Sequence, residues 1–159
     1  MIRAFTGPTT LTFAQRAWCI RQMLTLPLAP EEHWRSGCAY GLDTAVAELG
    51  FILEMNVQLF IPHAAHNGTL VSQRARNAEA VIRCSKFMTV SDCYRLRNQW
   101  MVDGAPKHPS TKVARTVDGL VAFVWSPEFY RSGEWMTLNI ARRLGVGIHK
   151  FVIPEKPRL

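Results

Sequence analysis

The sequence predicts an α/β fold: a three-layer domain built around a mainly parallel sheet. Three observations predict it. Short apolar runs alternate with segments of helical periodicity along the whole chain. The segment "GLVAFVW" is a continuous apolar run, the pattern of a strand covered on both faces. Turns rich in glycine, proline or serine sit where a strand hands over to a helix.

The elements follow in order. "IRAFT" (2–6) reads as the first strand, and "GPTT" breaks it. Thr12 and Gln15 are spaced as a capping box, and Phe13, Ala17, Ile20 and Leu24 then recur at helical spacing. The prolines of "LPLAP" end that helix. "WRSGC" (34–38) reads as a short second strand. Leu42, Ala45, Val46 and Leu49 mark one face of the next helix. "VQLFI" (57–61) is a third strand, closed by Pro62. A helix is expected over 70–83 and a fourth strand at "FMTV" (87–90). "CYRLRNQWMVD" reads as helical, and "GLVAFVW" (119–125) as the central strand. "EWMTLNIARRLG" places Met136, Ile140 and Leu144 on one helix face, with Gly145 as C-cap. "GIHKFV" is the last strand. Residues 104–116 carry Pro106, Lys107, Pro109, Lys112 and Arg115 with no acid, and read as a mobile basic loop inserted in a single domain spanning 1–159.

The bulk numbers exclude several classes. The chain has 159 residues, 48% hydrophobic and 19% charged, which is ordinary for one globular domain. No apolar run reaches the ~18 residues of a membrane span, and "MIRAFTGPTT" lacks the apolar core of a signal peptide. A cytoplasmic protein with no membrane partner is expected. The four cysteines show no CxxC pairing and read as reduced thiols. The net charge of +7 favours anionic partners, but the basic residues form no block, so nucleic acid is a weaker expectation than a clustered stripe would give.

In an open α/β sheet, ligands bind beyond the carboxyl ends of the strands. The turns Gly7-Pro8-Thr9-Thr10, 37–41 and Ser132-Gly133-Glu134 fall at such ends, and each leads into a helix. Helix N-termini offer open N–H groups and a positive dipole end, which suit phosphate. A single such turn is only what any strand–helix unit requires; the set gains meaning if the turns converge. The phosphate-loop, dinucleotide-binding and nucleophile-elbow motifs are absent. His63 and His66 lie near no acid or cysteine, and Pro62 argues for a loop there, so no metal and no cofactor are expected.

The order "TGPTT", "SGCAYGLDTAVAEL", "RLRNQWMVDGA", "DGLVAFVW" and "SGEWMTLNIARRLG" resembles the SLOG superfamily over nearly the whole chain. That superfamily joins the Rossmann domain of DNA-processing protein A to the LOG proteins, and the stand-alone YpsA-like branch is the most similar. The resemblance implies a Rossmann-like fold that binds nucleotides or nucleotide-derived ligands, with Gly7, Gly37, Gly41, Asp43, Arg97, Asn98 and Gly133 at ligand-facing positions. Pro8, Thr9 and Ser132 belong to the same turns. Arg97 can grip a phosphate bidentately and Asn98 can bond a ribose or base edge. Asp43 either accepts from a ribose hydroxyl or complements the helix dipole. Tyr40, Trp125, Phe129 and Trp135 are candidate stacking faces or ordinary core and rim aromatics.

Three departures stand out. Ser132-Gly133-Glu134 replaces the family's Gly-Gly-Thr and puts a carboxylate where phosphate is expected. Thr137 stands where LOG phosphoribohydrolases carry a glutamate. The 104–116 loop is either a lid with Lys107, His108, Lys112 and Arg115 or a tolerated insertion. The leading expectation is a sensor or sequestering protein for a nucleotide-derived small molecule, such as an NAD-derived or cyclic-nucleotide signal. A phosphoribohydrolase using Glu134 is the alternative, and single-stranded DNA binding a second. By analogy with LOG proteins, a homo-oligomer is expected, and compact relatives imply bacterial or phage defence signalling.

Overall fold

Strand β1 (Ile2–Thr6) lies near the middle of a sheet in which every described pairing is parallel. The computed structural model describes residues 1–62, 77–83, 88–105, 107–125 and 132–157. Within them the strands β2 (His33–Ser36), β3 (Asn56–Ile61), β4 (Ala80–Arg83), β5 (Gly119–Val124) and β6 (Gly147–Val152) give the order β4-β3-β2-β1-β5-β6. The helices are α1 (Phe13–Leu24), α2 (Leu42–Ile52), α3 (Val90–Asp103) and α4 (Gly133–Arg143).

Alternation along the central strands divides the core into two layers. Phe5, Val121 and Phe123 face α1 and α2, where they meet Cys19, Met23, Leu42 and Val46. Ile2, Ala4, Leu120, Ala122 and Val124 face the other way, onto Val102 of α3 and Leu138, Ile140 and Ala141 of α4. β5 is buried on both faces, which is why its sequence is apolar without a break.

The helix starts follow local chemistry. The Thr12–Gln15 capping box forms as the sequence implies: Gln15 N–H donates to Thr12 Oγ1 at 3.2 Å, and Thr12 N–H to Gln15 Oε1 at 3.0 Å. Gly145, with φ of 67°, ends α4 in the left-handed conformation.

Some boundaries differ from the sequence reading. Residues 80–83 form β4 and not the end of a helix: Ala80 to Arg83 pair in register with Gln58 to Ile61. Residues 77–79 are not helical either, and the remainder of the expected 70–83 helix, 70–76, lies outside the described residues. The expected strand at 87–90 is overturned at its described end. Thr89 caps α3 by accepting from Asp92 N–H at 3.2 Å, and Val90 is its first helical residue. The second strand ends at Ser36, because Cys38 adopts a positive φ of 58° and turns the chain away.

The 104–116 segment lies between the end of α3 and the start of β5: Lys107 and His108 share a cavity wall with Val81, Ile82 and Arg83 of β4, and Arg115 meets Asp118 at the amino end of β5. Val113 is fully buried there. Arg35, itself buried, donates Nη2 to the carbonyls of Lys112 and Val113, each at 3.1 Å. Lys112 Nζ reaches Glu79 Oε1 at 2.9 Å. A lid over the carboxyl-edge turns is thereby ruled out for Lys112 and its neighbours, which are tied to the opposite end of the sheet.

Candidate ligand site at the carboxyl edge of the sheet

β1 and β5 are neighbours, yet the chain leaves them in opposite directions. From β1 it runs through α1 to β2 on one side; from β5 it runs through α4 to β6 on the other. Such a reversal opens a crevice at the carboxyl ends. A cavity of about 730 Å3 fills it. Its walls bring together Gly7, Pro8 and Thr9 after β1, Asp43 of α2, Arg97 and Asn98 of α3, and Trp125, Ser132, Gly133 and Glu134 after β5. Thr6, Thr10, Ala39 and Met101 complete it. Gly37, Tyr40 and Gly41 stand outside this wall.

Those outlying glycines build the wall from behind. A Cβ on Gly37 would overlap Arg97 Nη1 and stand 2.7 Å from Asp43 Oδ2. Gly41 has φ of 73°, and a Cβ there would overlap the Pro8 carbonyl. Leu42 N–H donates to that carbonyl at 3.1 Å. The stretch "SGCAYGLD" thus packs the β1 turn, the start of α2 and Arg97 against one another.

Arg97 is 7% exposed and Asp43 6%. Arg97 donates Nη1 to the Gly37 carbonyl at 2.7 Å and to Asp43 Oδ2 at 3.1 Å. Ala39 N–H donates to the same carboxylate oxygen at 3.1 Å. Burial pushes the Asp43 carboxyl up, against the pull of Arg97 and of the Ala39 N–H. A bidentate grip on a ligand through both terminal nitrogens is therefore not the arrangement found: Nη1 already holds the protein's own acceptors. Arg97 Nε is buried with no partner among the described residues.

Glu134 is half-buried at the start of α4. Burial raises its carboxyl pKa, and the nearby Asp43 charge adds to the rise; hydrogen bonds from its own N–H and from Ser132 oppose it. Ser132 Oγ accepts from Trp135 N–H at 3.2 Å as N-cap. α4 therefore carries a resident carboxylate at its positive end, where an external phosphate would otherwise sit. Thr137 ties its hydroxyl to the Gly133 carbonyl at 3.0 Å and is buried.

The β1 turn differs. Among the described residues no hydrogen bond engages the backbone N–H of Thr9 or Thr10. Among the described residues Asn98 Nδ2 makes only long contacts, 3.5 Å each, to the Gly133 carbonyl and Met136 Sδ. The crevice thus combines open backbone donors on one wall with two carboxyls on the others. Backbone donors suit a single phosphate; carboxyls suit sugar hydroxyls or amino groups. The wall's one described cation, Arg97, is engaged by Asp43, so the cavity lacks the row of free cations that a polyanion needs.

Trp125 lines the cavity, whereas Trp135 lies beneath Arg142, whose guanidinium carbon is 5.3 Å from the ring centre. Phe129, His63 and His66 lie outside the described residues. Among the described residues no cluster of potential metal ligands occurs, and no helix is long and apolar enough to cross a membrane. Tyr94 and Met136 line an adjoining cavity; the sequence reading places Met136 on the apolar face of its helix and gives Tyr94 no role. A signal for Tyr94 existed: positions 94, 97, 98 and 101 share one face of α3.

The fold is similar to that of DNA processing protein A from Streptococcus pneumoniae, with a TM-score of 0.68 at 15% identity, covering 93% of this chain and 49% of that one. DNA processing protein A from Helicobacter pylori, whose structure was reported for its single-stranded DNA binding mode, gives a TM-score of 0.64 at 13% identity over 94% of this chain and 64% of that one. The chain spans about half of the first protein's length and less than two thirds of the second's. At such identities the likeness is one of fold alone. No protein-family model matches the chain, and no curated protein does.

Proposed function

We propose that the chain is a SLOG-type module that binds one nucleotide-derived small molecule in the crevice between β1 and β5, as a sensor or sequestering protein. The observation that carries this reading is the pairing of open Thr9 and Thr10 N–H donors with the carboxyls of Asp43 and Glu134 around a single cavity. The donors take a phosphate, and the Asp43 carboxyl accepts from the ribose hydroxyls. The cavity's volume lies within the ~300–1,000 Å3 usual for small-molecule sites. The order of sequence motifs supports placement beside the YpsA-like proteins, and assembly as a homo-oligomer belongs to the same proposal.

Single-stranded DNA binding is the second reading. The fold shared with the Helicobacter pylori protein and the net charge of +7 favour it. The two carboxyls in the crevice weigh against a phosphodiester backbone there.

A calorimetric titration separates the two. Adenosine 5′-monophosphate should bind more tightly than its 2′-deoxy counterpart, with a weak salt dependence. At 100 times its dissociation constant it should stabilise the fold by ~2.7 kcal/mol. Absence of mononucleotide binding, together with oligonucleotide binding that weakens steeply with salt, would transfer the assignment to DNA.

A further inference from the structure

A second cavity, about 480 Å3, opens beside the first. Thr9, Ala39, Arg97, Asn98 and Gly133 line both, so the two adjoin along this shared wall. The remaining walls of the second are Tyr40, Tyr94 and Met136. Its chemistry is unlike that of its neighbour. The first cavity presents carboxyls; the second presents two phenol rings and a thioether, and no carboxylate among its described walls.

Tyr40 is 56% exposed, too open to be serving the core. Tyr94 is partly buried, with the Arg97 guanidinium carbon 5.7 Å from its ring centre. Aromatic rings and a polarizable sulfur favour a flat, polarizable guest such as a nucleobase. The buried Arg97 guanidinium, paired with Asp43 and with Nε unpartnered among the described residues, stands in the wall the two cavities share.

We infer that the second cavity is a subsite for a second base, so that the crevice takes two linked nucleotide units. The inference rests on the nucleotide-binding reading above. Two consecutive nucleotides occur in a free dinucleotide and in a single strand, and the chemistry of the subsite is the same for both.

The test titrates the full chain with adenosine 5′-monophosphate, the 5′-phosphorylated adenylyl-adenosine dinucleotide, and an oligoadenylate of about a dozen units, a length that exceeds the two cavities. The dinucleotide should bind about tenfold or more tightly than the mononucleotide, the gain expected from stacking one base. Tyr94→Leu keeps an apolar side chain on α3 and should abolish that gain; Tyr40→Ala, at an exposed position, should reduce it. A further gain with the oligoadenylate assigns the two units to a strand and a plateau assigns them to a free dinucleotide; both support a two-unit site. Equal affinity for mono- and dinucleotide, or a gain that survives both substitutions, overturns the inference alone. No binding at any length overturns the nucleotide reading and this inference with it.

Discussion

Replacing Arg97 by methionine isolates what the Arg97–Asp43 pair does for the crevice. Methionine keeps the apolar stem's volume but removes the cation that faces Asp43 at 3.1 Å. Asp43 is 6% exposed, so it is left as an uncompensated buried charge or takes up a proton. The second route sets a ceiling. The ordinary value for this carboxyl is 3.8, more than three units below pH 7, so neutralising it there costs about 4 kcal/mol at 1.36 kcal/mol per unit. Breaking a buried pair commonly costs ~3–5 kcal/mol, which agrees. The sign of the pH dependence follows. Burial already raises this carboxyl, and losing Arg97 removes a pull against that rise. The folded variant then binds more protons than the unfolded chain, so its stability falls as pH rises above 3.8. Denaturant unfolding should show a loss of about 3–4 kcal/mol at pH 7 that shrinks to under ~2 kcal/mol at pH 5. Adding Asp43→Asn should restore much of the loss at pH 7. A loss below ~1 kcal/mol, equal at both pH values and untouched by Asp43→Asn, would refute the reasoning.

Four further outcomes follow from named contacts. Gly41→Ala forces a side chain at φ of 73° into the Pro8 carbonyl; it should cost at least ~1 kcal/mol in denaturant unfolding and weaken nucleotide binding by displacing the β1 turn. Glu134→Gln should strengthen binding of an anionic ligand and flatten its pH dependence. In the parent protein that binding should tighten as pH falls through the raised Glu134 range, because the protonated carboxyl no longer repels the ligand; if Glu134 also performs N-glycosidic hydrolysis, free-base release by the parent will disappear in the variant. Val113→Ala, in the fully buried part of the 104–116 segment, should cost about 1–2 kcal/mol in denaturant unfolding while leaving nucleotide affinity intact, as expected of a packed segment remote from the crevice. Cys19, buried and pushed up to about 12, should resist alkylation at pH 8 until the chain unfolds, which mass spectrometry of labelled protein will read directly.

The sheet was legible because its central strands announce themselves. β5 is apolar on both faces, and the Thr12–Gln15 box marks where α1 starts. The edge strand β4 was not. "AVIR" is short, its burial is incomplete, and its pairing with β3 is a non-local fact that local periodicity does not carry. The start of α3 was missed for a different reason: "FMTV" looks like a strand until Thr89 and Asp92 are read as a cap.

The site was legible as a set of turns but not as chemistry. Sequence order placed Gly7, Thr9, Arg97, Asn98 and Gly133 near one edge. It did not reveal that Gly37 and Gly41 pack behind the wall, or that Arg97 faces Asp43. Those are contacts between elements distant along the chain, and glycine's role in them depends on what a Cβ would strike. The 104–116 segment looked mobile because its composition is polar; Arg35, more than 70 residues earlier, gathers the Lys112 and Val113 carbonyls.

A backbone-amide NMR titration with adenosine 5′-monophosphate reports on the β1–β5 crevice residue by residue. Saturable shifts are expected at Thr9, Thr10, Asn98 and Gly133, with Lys112 and Val113 unmoved. Shifts confined to the 107–116 region or to β6, with Thr9 and Thr10 silent, would contradict the proposed binding site.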